Sequence, residues 1–122
     1  MLPSMSPTNE LPRIKGDALV VLLTLAAGPM HGYAIMLDAE ERSGGEIRLQ
    51  TGALYRTIKR LLDDRLVEEC DRPSSASSED ERRRYYRLTP RGREALAAEG
   101  ERMKRLASEI RLATTRRRPR PT

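Results

Sequence analysis

Four side chains within six positions of one another have the chemistry to bind a nucleic acid. They are one tyrosine and three cations: Tyr55, Arg56, Lys59 and Arg60. Placed together on one helix, a hydroxyl and several cations can contact phosphates and base edges in a DNA major groove. The alternative is an ordinary solvated surface, because Lys and Arg are good helix formers and usually point into water.

The segment that must present these side chains, residues 49–64, has the pattern of an amphipathic helix. Its apolar residues fall at i, i+4, i+7 and i+8: Leu54, Ile58, Leu61 and Leu62. This is one stripe of a 3.6-residue period, which would face a core and leave the basic side outward. We therefore predict a DNA recognition helix over about residues 51–64. Gln50, Thr51 and Gly52 stand at its start and are predicted to contact DNA with it.

The composition indicates a small protein domain with a basic extension. The chain has 122 residues, of which 38% are hydrophobic and 34% charged, with no Phe or Trp to fill a large core. Its net charge of +5 owes much to the final TRRRPRPT, which holds four arginines and no acid. Such basicity favours a polyanionic partner without choosing between nucleic acid and an anionic membrane.

The rare residue types exclude several kinds of chemistry. The single Cys70 excludes an internal disulfide and fits a reducing cytosol. With one Cys and one His, a Cys/His metal cluster within one chain is excluded as well. The longest apolar run, residues 18–27, is too short to span a bilayer. We expect a cytoplasmic protein without cofactor, metal or membrane association, and no enzymatic activity, since no catalytic set or phosphate-binding glycine loop is present.

Two further helices are predicted before the recognition helix. Residues 18–27 are nearly all apolar, with Asp17 as N-cap and a stop at Gly28-Pro29. A second helix over about residues 32–42 starts at His31, and its N-terminus would attract a phosphate, so His31, Gly32 and Tyr33 are predicted to contact DNA. Residues 46–49 alternate in polarity and are predicted to form a short strand.

After the recognition helix the pattern predicts a β-hairpin. Residues 67–71 and 84–88 are the strand candidates, separated by a turn-rich stretch. Tyr86 is expected on one face, with Tyr85 on the other. Arg83, Arg84 and Tyr85 follow the hairpin tip and could reach a phosphate or a narrow minor groove. Local pairing with the acids at 79–81 is the alternative.

The last helix is predicted over about residues 90–113, with Thr89 as N-cap and Pro90 at the first position. A helix of ~24 residues spans roughly 36 Å, more than a small core requires. We therefore expect self-association along an apolar seam shared with the first helix, although Glu99 and Gly100 interrupt the seam. Packing of the helix onto its own domain is the alternative. The seam contains apolar residues of both helices: Leu19, Leu22, Leu23, Leu96, Met103, Leu106 and Ile110.

The order of these elements predicts a mainly α fold with a small β-hairpin wing (α+β), that is, a winged helix-turn-helix followed by a long dimerisation helix. The predicted divisions are a disordered arm (1–12), a DNA-binding domain (13–89), a dimerisation helix (90–114) and a basic disordered tail (115–122).

The chain resembles the PadR-type transcriptional regulators. The resemblance covers about residues 17–95 and rests on motifs in the right order: Gly28-Pro29-Met30-His31-Gly32-Tyr33, Gly52-x-Leu54-Tyr55, Lys59-Arg60-Leu61, Leu66-Val67 and Arg84-Tyr85-Tyr86-Arg87-Leu88-Thr89-x-x-Gly92. It implies a homodimeric repressor that binds a palindromic operator in double-stranded DNA and is released by a small molecule. It also implies that Tyr55 and Lys59 face the DNA and that the Arg84-Tyr85 region forms the wing.

Two other functions stay open at this point. A winged helix can serve as a protein-interaction module, and a basic surface can bind nucleic acid without sequence preference. A weaker hypothesis makes Cys70 a redox switch, because its predicted strand lies beside basic residues.

Overall fold

The computed structural model describes residues 10–74 and 83–115. This part of the chain forms four helices and one three-stranded antiparallel sheet in the strand order β1-β3-β2. The elements are α1 (Gly16–Leu25), β1 (Met30–His31), α2 (Gly32–Arg42), α3 (Thr51–Asp63), β2 (Val67–Cys70), β3 (Tyr85–Leu88) and α4 (Pro90–Thr115). The mainly α architecture with a small sheet is the predicted fold.

The core lies where α1 meets α2, α3 and the start of α4. Its largest fully buried side chains come from these helices and from the turn after α3: Leu22, Leu25, Ile35, Leu54, Ile58, Leu61 and Leu66. The predicted apolar stripe of α3 is confirmed, because Leu54, Ile58 and Leu61 are buried and Leu62 is half-buried. Burial of this stripe fixes the rotation of α3 and hence which side chains it exposes.

The ends of α1 differ from the prediction. The helix begins at Gly16, and its N-cap is Lys15 rather than Asp17, without a side-chain cap. Asp17 instead lies in the first turn, where its negative charge is favourable beside the helix N-terminus. The helix ends at Leu25, before the predicted Gly28-Pro29 stop.

The strand predicted over residues 46–49 is wrong. That segment continues the turn after α2: the Ile47 N–H donates to the Ser43 hydroxyl (2.8 Å), and Leu49 is buried in the core. The third strand is β1, which pairs with β3 through Met30 opposite Tyr86 and His31 opposite Tyr85. A strand of two residues has no alternation to detect in a sequence, since only its pairing with β3 defines it.

The hairpin is confirmed, and both faces of β3 are covered at its two tyrosines. β2 pairs antiparallel with β3, from Val67 opposite Leu88 to Cys70 opposite Tyr85. Tyr85 and Tyr86 are each only 4% exposed, although neighbouring residues of a strand point to opposite faces. His31 of β1 explains the burial of Tyr85, since the two rings meet edge-on at 5.4 Å.

The hairpin tip lies at residues 75–82, outside the described residues, and so does the predicted pairing within the acidic stretch 79–81. Across the hairpin, ion pairs join Arg84 to Glu69 (3.8 Å) and Arg87 to Glu68 (2.7 Å). These pairs are exposed and contribute little stability individually.

α4 starts as predicted and packs closely on the domain. The Thr89 hydroxyl accepts a hydrogen bond from the Gly92 N–H (2.9 Å), which confirms Thr89 as the cap. A Cβ added at Gly92 would lie 1.9 Å from the carbonyl oxygen of Leu66. Only glycine therefore lets α4 approach the end of α3 this closely.

The segment before α1 is bound to the domain and to α4. Leu11 packs against the core, and the Arg91 guanidinium donates to the Glu10 carbonyl (2.8 Å). Residues 10–12, which the sequence assigned to a loose arm, are therefore in contact with the domain. Residues 1–9 of that arm and residues 116–122 of the predicted tail lie outside the described residues.

Candidate nucleic-acid interface

The exposed side of α3 carries the four residues from which the sequence predicted nucleic-acid binding. Tyr55, Arg56, Lys59 and Arg60 are all exposed. Lys59 makes an ion pair with Asp63 one turn later (3.4 Å), and both side chains are in water, where such pairs contribute little. The basic face is therefore accessible to a partner.

The start of α3 is also open to a partner. Gln50, Thr51 and Gly52 are exposed, and Gln50 is the N-cap without a side-chain hydrogen bond. A Cβ added at Gly52 would lie 3.3 Å from Nη1 of Arg56. The Arg56 guanidinium thus lies back over the first turn, at the end of α3 that would enter a groove first.

A cleft of about 310 Å³ separates α3 from the wing, and we call it the wing cleft. It is bordered by the start of α2, by α3 and by β3 with the residues before it: His31, Gly32, Tyr33, Tyr55, Arg83, Arg84 and Tyr86. Six of these seven residues were predicted to contact DNA, and the fold brings them together from three separate parts of the chain.

Close packing between Gly32 and Tyr55 sets the geometry of the wing cleft. A Cβ at Gly32 would lie 2.7 Å from the Tyr55 hydroxyl and 3.3 Å from Cδ2 of Leu54. The start of α2 therefore touches α3 at a position where a larger residue would displace the tyrosine. This contact explains the need for glycine after His31.

His31 has a capping role that connects α2 to the wing. Its Nδ1 accepts the Ala34 N–H (3.2 Å), which caps α2. Nη1 of Arg83 lies 3.1 Å from Nδ1 and 3.3 Å from Nε2 of the same ring. The Arg83 guanidinium also lies over the Tyr33 ring, 5.6 Å from its centroid, a cation–π arrangement. Arg83 is thereby held at the start of α2 rather than extended into solvent.

The two tyrosines of β3 differ from the other predicted contacts because both are buried. Tyr85 supports the sheet beneath His31 and does not project outward. Burial raises the pKa of the Tyr86 hydroxyl, and the nearby Glu69 charge adds to the effect. Tyr86 is nevertheless among the residues that line the wing cleft, a position that the sequence did not predict.

The residues predicted to mediate dimerisation are divided between surface and core. Leu23, Met103, Leu106 and Ile110 are exposed, and Leu19 and Leu96 are half-buried. Leu22, in contrast, is fully buried within its own domain. Of the exposed residues, Met103, Leu106 and Ile110 form an apolar stripe along the part of α4 that extends beyond the core.

Cys70 is half-buried on β2. Burial raises the pKa of its thiol, partly opposed by the positive charge of Arg87. A raised pKa favours the thiol over the reactive thiolate, which weakens the redox hypothesis without testing it.

Residues 10–74 and 83–115 contain no group of three or more His, Cys, Asp or Glu side chains that could hold a metal ion. In the same ranges, no helix is both long and apolar enough to cross a membrane.

Residues 21–98 match the model of the transcriptional regulator PadR-like family. The chain is also similar to an uncharacterised 37.1 kDa protein in transposon TN4556 of Streptomyces fradiae, with 40% identity over 98 residues. That stretch covers 80% of this chain but only 26% of the transposon protein.

Solved structures share the fold at low identity. A PadR family transcription regulator from Clostridium difficile has 21% identity and a TM-score of 0.66, covering 80% of this chain and 97% of that one. A PadR-like transcriptional regulator from Bacillus cereus has 18% identity and a TM-score of 0.67, covering 82% and 92%.

Proposed function

We propose that this chain, which belongs to the transcriptional regulator PadR-like family, is a homodimeric repressor that binds a palindromic operator and is released by a small molecule. Family membership makes it a DNA-binding transcription regulator rather than an enzyme. The observation that carries the more specific proposal is the exposed face of α3, bordered on one side by the wing cleft.

In this proposal α3 enters the major groove with its first turns leading. Arg56 lies over the start of α3, so its guanidinium is placed to contact base edges, where arginine prefers guanine. Tyr55 and Lys59 are exposed beside it and are suited to fix the register of the helix on phosphates. Gln50 and Thr51 offer further polar contacts at the entering end.

At the wing cleft, the DNA backbone would be bound by the Arg83 guanidinium, which is already held in place by its neighbours. Arg83 is fastened to His31 and Tyr33, so little side-chain freedom is lost when it meets a phosphate. Arg84 is exposed next to it and pairs only loosely with Glu69 at 3.8 Å. Gly32 and Tyr33 bring the start of α2 to the same phosphate.

Dimerisation supplies the second half-site. The apolar stripe of α4 exposes side chains that a second copy could bury: Met103, Leu106 and Ile110. Leu23 of α1 is exposed as well. Leu22 is left out of this proposal because it is already buried in its own core. Two copies would place their recognition helices about 34 Å apart, one turn of DNA.

An effector would act by changing that spacing. A small molecule bound where α1 and α4 of two copies meet would favour a dimer shape that fits DNA poorly, which is a coupling between two distinct sites. The chain has no Trp, so a planar ligand would not be held by indole stacking. DNA as the partner and a single cysteine both fit a cytoplasmic location.

The test is selection of binding sequences from a randomised duplex pool. We expect an enriched palindrome whose half-sites lie about one helical turn apart. Tyr55→Ala and Lys59→Ala should each lose binding to that sequence, whereas Lys104→Ala, which changes an exposed lysine on α4, should retain it. Enrichment of no sequence, or full binding by both α3 variants, would show that α3 is not a recognition helix and would favour a protein-interaction module.

A further inference from the structure

The side of α3 that faces away from the wing carries a second basic surface. Arg13 and Lys15 precede α1, while Arg56 and Arg60 belong to α3, and we call these four residues the α1 flank. Arg13, Lys15 and Arg60 line one cleft of about 380 Å³. Arg56 and Arg60 line an adjacent depression of about 360 Å³ that also includes Asp17. Arg60 borders both, so the four cations form one continuous surface.

The cations of the α1 flank are accessible. Lys15, Arg56 and Arg60 are exposed, and the Arg13 side chain is 59% exposed although its Nε is held by the buried Glu99 carboxylate at 3.2 Å. Glu99 thereby fixes the stem of Arg13 at the edge of the cleft. The sequence alone did not reveal this grouping, because Arg13 and Arg60 are far apart in the chain.

The wing cleft and the α1 flank lie on opposite edges of the exposed face of α3. Successive residues of an α-helix are rotated by about 100°, so Tyr55 and Arg60 are separated by about 140° around the axis. Tyr55 borders the wing cleft, and Arg60 borders the α1 flank. Arg56 and Gly52 lie between them on the part of the face that would point to the bases.

A major groove presents a matching arrangement of charge. It is about 12 Å wide, close to the diameter of a helix with its side chains, about 10–12 Å. A helix inserted in the groove therefore faces one phosphate backbone at each edge. We propose that Arg13, Lys15 and Arg60 of the α1 flank bind the phosphate backbone on the side of the groove opposite to the one held by the wing, while Arg56 keeps its contact with the bases. Each domain then binds both strands.

Removing a cation and removing an acid from this surface should change DNA affinity in opposite directions. Asp17 and Asp64 line the same clefts as the four cations, and each carboxylate repels a phosphate. Removing a cation should therefore weaken binding, and removing Asp17 should strengthen it. If these residues were only part of a solvated surface, changing them would alter DNA affinity no more than changing a charge elsewhere on the protein.

This inference rests on the proposed function, and the test separates the two. Wild type, Lys15→Gln and Asp17→Asn are titrated with the selected duplex and with a scrambled duplex between 50 and 200 mM salt. A phosphate contact contributes about 0.9 to the slope of log K against log salt. Because the proposed dimer carries two copies of Lys15, we expect Lys15→Gln to lower that slope by about 1.8 and to weaken binding to both duplexes by a similar factor. Asp17→Asn should tighten binding to both.

Two controls protect this interpretation. Lys104→Gln removes the same charge from α4 and should change the slope little, and thermal unfolding should show that each variant is folded. Ethylation interference on the selected duplex should mark phosphates on both backbones in each half-site for wild type, and Lys15→Gln should lose the marks on one backbone only.

The outcomes are distinct. If the wild-type protein shows no preference for the selected duplex, both the proposed function and this inference are contradicted. Intact preference, with Lys15→Gln and Asp17→Asn both indistinguishable from Lys104→Gln, would overturn the inference alone. Interference confined to one backbone would also overturn it.

Discussion

Replacing Glu99 by Gln should destabilise the protein, because this carboxylate joins two distant parts of the chain. Glu99 is 3% exposed and accepts hydrogen bonds from the Ile14 N–H (2.8 Å), Arg13 Nε (3.2 Å) and Arg102 Nη2 (2.9 Å). It thus fastens the segment before α1 to α4 at the point where α4 leaves the core. Gln keeps the size of the side chain and removes its charge.

The magnitude follows from the pKa of this carboxyl. The hydrogen bond from Arg102, followed by those from Ile14 and Arg13, lowers the pKa of Glu99 from 4.5 to about 2 against the opposing effect of burial. One pKa unit corresponds to about 1.4 kcal/mol, which sets a ceiling of about 3 kcal/mol. Arg13 is largely in water, and solvent screens that part of the interaction. We therefore expect a loss of about 2 kcal/mol in the free energy of unfolding for Glu99→Gln.

The stabilisation by Glu99 should decrease as the pH is lowered. Because the pKa is lowered on folding, the stabilisation is fully present above about pH 4.5 and is lost as the pH falls through about 2. Urea unfolding at one protein concentration should show the full difference between wild type and Glu99→Gln at pH 7 and roughly half of it at pH 3. Glu101→Gln removes the charge of an exposed acid two residues later and should change stability by less than about 0.5 kcal/mol. A difference at pH 7 no larger than that of Glu101→Gln, or one that persists undiminished at pH 3, would refute this reasoning.

Two further substitutions test the site and the assembly. Gly32→Ala should push the Tyr55 hydroxyl away from α2 and weaken DNA binding with little loss of stability. Its control is Gly100→Ala, where a Cβ meets nothing within 4 Å; this variant should leave DNA binding unchanged and stabilise α4 by about 0.5–1 kcal/mol. Equal DNA affinity for both variants would contradict the role given to the Gly32–Tyr55 contact. Leu106→Glu should convert the dimer to a monomer, as measured by sedimentation velocity. Leu112 is equally exposed at 61% but lies about 120° away around α4, so Leu112→Glu should leave the dimer intact. A dimer that survives Leu106→Glu would exclude the apolar stripe as the interface.

The helices were predictable because their signals are local. The apolar stripe of α3 and the glycines after α2 predicted the bounds of these two helices to within a residue or two. Thr89-Pro90 predicted the start of α4. β1 was not predictable, because two residues carry no periodicity and become a strand only by pairing with β3.

The site was predictable in part for the same reason. The cations of α3 could be identified from their spacing alone. The burial of Tyr85 depends on His31, which is 54 positions earlier, and the α1 flank depends on packing of the segment before α1 against the end of α3. Contacts of this kind leave no pattern in a single sequence.

The most direct test of the central claim is fluorescence anisotropy with the selected duplex and a scrambled duplex of equal composition, at 50 and 200 mM salt. A sequence-specific regulator should prefer the selected duplex by about 10³ or more, and the preference should survive the higher salt. Arg56→Ala, which removes the proposed base contact, should lose most of this preference. Equal binding of wild type to both duplexes, lost at the higher salt, would contradict the account and leave only a general polyanion surface.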